Sequence, residues 1–187
     1  MTDRFNLRPL FAGHWKTLSI DQHDEEESTK PDWLARIGLL LPAVTVGLVM
    51  WCNEGRLANP GAILAGASLM SGTLLAVFAQ IASLRLKLAD RFERGYKGAD
   101  ADKDALDESV SHILFAALLT FVSAAVITIA LSMAPPESRA ITGFPAALAG
   151  ALLSYVLLLI LMLLPRLLYA YNRVNKVRSQ LNGFYKE

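Results

Sequence analysis

The chain has 187 residues, 53% of them hydrophobic and 19% charged, with a formal net charge of +1. That balance excludes an ordinary soluble domain, and the near-zero charge gives no basis for binding a nucleic-acid duplex. The single cysteine, Cys52, excludes an intrachain disulfide, and the three histidines, His14, His23 and His112, are too far apart in sequence to make a local metal motif with it.

The first segment, residues 1–32, is an arm and a linker. From Phe5 to Ile20, aromatic and aliphatic residues (Phe5, Leu7, Leu10, Phe11, Trp15, Leu18, Ile20) alternate with Arg4, Arg8, His14 and Lys16. This is not apolar enough to span a membrane. It suits an amphipathic helix on the membrane surface or against helical extensions beneath the spans. Residues 21–31 read as a solvated linker, with the acidic run Asp21–Glu27. No secretory signal is legible, since a signal needs a basic start followed at once by an apolar stretch. The first span is expected to be its own uncleaved anchor.

Crossing the hydrocarbon core takes about 20 predominantly apolar residues. Four segments qualify. The first runs from Trp33 to Cys52, with Trp33 and Trp51 suited to the two interfacial belts and Pro42 expected to kink it. The second runs from Gly61 to Leu84, after Pro60. The third runs from His112 to Met133 and the fourth from Ala146 to Leu164, with Pro165 closing it.

Lysine and arginine set the expected direction. Sixteen of the 18 lie in the N-terminal arm, the segment between spans two and three, and the C-terminal tail; the other two loops carry one each, Arg56 and Arg139. The three basic segments are therefore expected in the cytoplasm. The expected fold is an all-α membrane protein with four transmembrane helices as two hairpins (33–84 and 112–164), N-in and C-in. A helical connection (85–111) and a helical tail (165–187) extend into the cytoplasm, and the bacterial inner membrane is the expected location.

Catalytic chemistry finds no set of residues. Asp100, Asp102 and Asp104 resemble the start of a calcium loop, but that loop needs glycine at its sixth position and glutamate at its twelfth, where Ala105 and Ser111 stand. The acidic residues suit a helix start instead. Gly66-Ala-Ser68-Leu-Met70 lacks the last glycine of a nucleophile elbow. The only histidine near a span, His112, reads as an interfacial helix residue. No catalytic residue, metal or cofactor is expected.

Between Ile37 and Trp51, and throughout spans two to four, there is no Asp, Glu, Lys or Arg. Ion-coupled transporters, proton relays and voltage sensors carry such groups, whereas a passive pore lined by hydroxyls or gated by an apolar constriction does not need them. The spans instead carry small and weakly polar residues at helical spacing. Span two has Gly61, Ala65, Ser68 and Gly72, and a second row of Thr73, Ala76, Gln80 and Ser83. Span three has Ala116, Thr120 and Ser123, and span four has Ala147, Gly150 and Ser154. Such rows serve either packing inside one bundle or a subunit interface and pore lining. Gln80 is the costliest polar residue among them. The basic residues beside the spans suit anionic lipid. Arg4 and Arg8, with His14 and Trp15, are the better candidates for an anionic ligand such as a nucleotide, since arginine matches phosphate and an aromatic ring stacks on a base.

The arm Leu10-Phe-Ala-Gly-His-Trp15, the acidic linker and the four charge-free spans together resemble the small membrane effectors of bacterial antiphage operons. The nearest similarity is to the Hailong-type transmembrane effector, with Kiwa-type four-span proteins second. The resemblance covers the whole chain as a likeness of size and layout. It implies a homo-oligomer, a tetramer, that depolarises the membrane under control of a cytoplasmic nucleotide. The function expected is thus an oligomeric, ligand-gated channel or pore-forming effector. The alternative is a non-conducting membrane anchor that docks a soluble partner protein.

Overall fold

The computed structural model describes residues 6–20, 30–93, 99–135 and 140–174. Five helices carry the fold: α1 (Arg8–Thr17), α2 (Trp33–Cys52), α3 (Pro60–Glu93), α4 (Ala99–Met133) and α5 (Gly143–Val174). Four two-residue strands make two short ladders. β1 (Ser19–Ile20) pairs antiparallel with β2 (Lys30–Pro31), and β3 (Arg56–Leu57) pairs with β4 (Ile141–Thr142).

Four of these helices are long and apolar enough to cross a membrane, over Trp33–Cys52, Pro60–Leu86, Leu106–Met133 and Gly143–Leu168. Their starts are written in the sequence. The Asp32 carboxylate accepts from the Leu34 and Ala35 amides at 3.1 Å each, capping α2. Asn59 does the same for the Ala62 amide at 3.1 Å. Helices α3 and α4 have 34 and 35 residues. At 1.5 Å per residue they are about 50 Å long, against a hydrocarbon core of about 30 Å, so both project beyond a bilayer. Arg85 of α3 and Asp107 of α4 join these projections in a two-pronged ion pair at 2.8 and 3.0 Å. Pro42 lies inside α2 and Pro165 inside α5, so Pro165, expected to close the fourth span, ends neither the helix nor the apolar stretch, which runs on to Leu168.

The helices pack as a row, in the order α2, α5, α4, α3. Of the two expected hairpins, α4 and α5 pack together, whereas α2 leaves its sequence neighbour α3 and packs on α5. Small residues explain the choice. A Cβ added at Gly47 of α2 would lie 3.0 Å from the Ala151 Cβ and 3.6 Å from the Ala147 carbonyl oxygen of α5. A larger residue would push the two helices apart, and close approach is what holds helices together in lipid. The central pair is correspondingly more buried, with 39% and 33% of the most apolar windows of α4 and α5 inside the protein against 11% and 17% for α2 and α3.

The main core gathers Leu39 and Ala43 of α2, Leu74 and Ile81 of α3, Ile113 and Phe115 of α4, and Val156 and Leu159 of α5. A smaller cluster of Ile127, Ile141, Ala146 and Ala149 closes the end where β3 meets β4. Trp51 and Phe144 meet edge to face there at 5.8 Å. The opposite end carries Arg36, Arg85 and Arg166, and α1 docks at that basic end.

Candidate functional site

Asn6 caps the Arg8 amide at 3.1 Å and Pro9 lies in the first turn, so α1 starts where the sequence can start a helix. Its apolar residues recur at helical spacing, and their stripe turns toward α4. Leu18 is buried, Leu10 and Trp15 pack partly buried against the core, and Phe11 meets Phe115 edge to face at 5.2 Å. Gly13 permits the contact: an added Cβ would stand 3.1 Å from the Ser111 hydroxyl oxygen.

His14 lies in the middle of this stripe and is fully buried. Its ring stacks on Phe115, with centroids 4.0 Å apart and planes 14° from parallel. Its Nδ1 is 3.0 Å from Nδ1 of His112 on α4, which is also fully buried. Its Nε2 is 2.8 Å from the Tyr155 hydroxyl on α5. On the far side of His112, Nε2 lies 3.0 Å from Nη1 of Arg166 and 3.0 Å from the Thr17 hydroxyl. Arg166 in turn pairs with Glu108, and Thr17 donates to the His14 carbonyl at 2.8 Å. A polar chain therefore runs from half-buried Glu108 and Arg166 through both buried imidazoles to Tyr155.

The donors fix the protons. A guanidinium has no acceptor, so Arg166 donates to Nε2 of His112. His112 then carries its proton on Nδ1 and donates to Nδ1 of His14. His14 carries its proton on Nε2 and donates to the Tyr155 hydroxyl oxygen. In this arrangement both rings are neutral and each ring lone pair already accepts a hydrogen bond. Burial supports the neutral form at His14, lowering its pKa from 6.5 to about 4.

Arg36 of α2 holds the other end of the arm. Its Nε donates to the Leu18 carbonyl at 3.3 Å and its Nη2 to the Trp15 carbonyl at 3.1 Å. Its guanidinium carbon lies 5.2 Å from the Trp15 ring centre and 5.9 Å from that of Trp33. A cation on the last carbonyls of α1 is the charge its dipole favours. The arm is thus tied to α2, α4 and α5.

The small-residue rows divide. Thr120 and Ser123 are buried within the chain, and their hydroxyls donate to Ala116 and Leu119 carbonyls of α4. Gly150 faces Met50 and Val46 of α2, and Ser154 is half-buried. These rows pack the bundle. In span two, Gly61, Ala65, Ser68, Gly72, Thr73 and Gln80 are all exposed on the single chain. A Cβ added at Gly72 would meet open space. The row continues through Ala76, Ala79 and Ser83, also exposed, and makes one small-residue stripe along α3.

Of the anionic-ligand candidates, Arg4 lies outside the described residues, Arg8 is exposed, and Trp15 is half-buried beside Arg36. His14 has both ring nitrogens engaged within the chain, so in this state it offers a ligand neither. His112, read from the sequence as interfacial, is fully buried because α1 covers it. Sequence reasoning also passed over Thr17, Glu108, Tyr155 and Arg166. Tyr155 left one signal: a phenol in an otherwise apolar span needs a hydrogen-bond partner. Among the described residues, no three histidine, cysteine or acidic side chains could hold a metal ion together.

No protein-family model, no characterised protein and no solved structure matches the chain.

Proposed function

We propose that the chain is a homo-oligomeric, ligand-gated channel or pore-forming effector of the bacterial inner membrane, with both termini cytoplasmic and the docked arm as its control element. The exposed α3 stripe carries this reading. A face of Gly61, Ala65, Ser68, Gly72, Ala76, Ala79 and Ser83, flanked by Thr73 and Gln80, is exposed in one copy. A lipid-facing helix gains nothing from such residues, whereas a second copy can approach closely along them and bond the Gln80 amide. The absence of Asp, Glu, Lys and Arg from the middle of the spans suits passive conduction, and the resemblance to antiphage membrane effectors suits an oligomer released by a cytoplasmic signal. A nucleotide, the ligand that resemblance implies, would meet exposed Arg8 rather than buried His14.

Cysteine cross-linking tests the interface. In a Cys52→Ala background, Gly72→Cys should give an oxidised dimer in membranes. Leu161→Cys, exposed on α5 away from the stripe, should not. A dimer from Leu161→Cys and none from Gly72→Cys would remove α3 as the interface. The non-conducting anchor predicts no current in any state, together with capture of a soluble partner that depends on residues 1–20.

A further inference from the structure

We propose that the His14–His112 pair is an acid-released latch, in which proton uptake by either ring frees α1 from α4 and α5. This goes beyond the channel reading and does not rest on it, since release of the arm can be read without measuring current.

The geometry carries the argument. Both rings are fully buried, and α1 is a ten-residue helix that belongs to none of the four long helices. The arm can therefore leave without unfolding a span. Each ring has one lone pair, and each lone pair already faces a donor: Nδ1 of His14 faces the Nδ1 hydrogen of His112, and Nε2 of His112 faces Arg166. A proton added at either place sets two hydrogens on one hydrogen-bond axis. At His112 it also sets a cation beside the Arg166 guanidinium. The groups around the pair are Thr17 and Trp15 on α1, Glu108, Ser111 and Phe115 on α4, and Tyr155 and Arg166 on α5. Glu108 is the one carboxylate among them, and it is paired with Arg166.

The sign follows from where the proton is bound more tightly. A released, solvated histidine takes a proton near pH 6.5, while docked His14 resists it until about pH 4. Docking is therefore unaffected above pH 6.5 and weakens as pH falls from there toward 4. From His14 alone the docking constant should drop about tenfold between pH 7.5 and 5.5.

The test is amide hydrogen exchange of the full chain in lipid nanodiscs, with rates corrected for the intrinsic pH dependence. The protection factor of residues 8–17 should fall about tenfold or more from pH 7.5 to 5.5, while that of α5 stays constant. The double variant His14→Gln, His112→Gln should lose the pH dependence. Tyr155→Phe keeps both imidazoles and serves if the double variant fails to dock; it should lower protection at both pH values and keep their ratio. An unchanged protection factor in the wild type would overturn the latch. So would the same fall in the double variant, or a ratio near one in Tyr155→Phe.

Discussion

At the scale of single residues, the two buried histidines and one buried serine make opposite predictions. Tyr155 accepts from His14 at 2.8 Å. Tyr155→Phe strands that ring hydrogen in an apolar core and should cost about 1–3 kcal/mol, read as a lower melting temperature in detergent. The Ser71 hydroxyl is buried on α3 without a hydrogen-bond partner, the only such side-chain atom among the described residues. Ser71→Ala should therefore stabilise the protein, by up to about 1 kcal/mol; a loss of stability would show that the hydroxyl is bonded after all. Nitrogen-15 spectra of labelled histidine at pH 7.5 should show His112 protonated on Nδ1 and His14 on Nε2. The reversed pair would mean that Thr17, not Arg166, sets the order of the chain. Apart from the phenol of Tyr155 in an apolar span, none of this was legible in the sequence. His14 and His112 lie 98 positions apart, and only the docking of α1 brings them together. Glu108 and Arg166 stay half-buried and are paired by the packing of α4 on α5.

At the scale of helices, the spans were legible and their partners were not. Hydrophobic length and the absence of charge mark each crossing helix, because lipid penalises anything else. Which helix touches which depends on fits of single side chains, such as Gly47 against Ala151, and periodicity does not encode them. The rows of small residues were legible as rows, but a row looks the same whether it packs inside one chain or between chains. Two leucine substitutions separate the cases. Gly47→Leu should drive α2 off α5 and destabilise the chain by about 1–3 kcal/mol. Gly72→Leu points into open space, so it should leave the chain's own fold intact and abolish the oligomer. Thermal melting and mass in nanodiscs read the two effects separately. If Gly72→Leu unfolds the protein instead, the α3 stripe belongs to the chain's own packing. The arm offers a third case: Arg36→Gln removes the cation from the last carbonyls of α1. It should raise amide exchange in α1 by a similar factor at every pH, and the pH slope that the histidines give should remain.

At the scale of the whole molecule, α4 and α5 form a buried centre, α2 and α3 flank it, and α1 is latched on at the basic end. Under the proposed function, α3 is the outer face for assembly and α1 the detachable element for control. An open cleft of about 550 Å³, lined mostly by α4, has Asn6 and Leu10 of the arm on its wall together with Leu75 of α3. The measurement that bears most directly on the channel reading is ionic current through the purified protein in a planar lipid bilayer. The wild type, released by its signal or by deletion of residues 1–20, should give discrete and reproducible conductance steps, and Gly72→Leu should give none. Silence from both the full chain and the arm-deleted chain across a wide voltage range would contradict a channel and leave a membrane anchor.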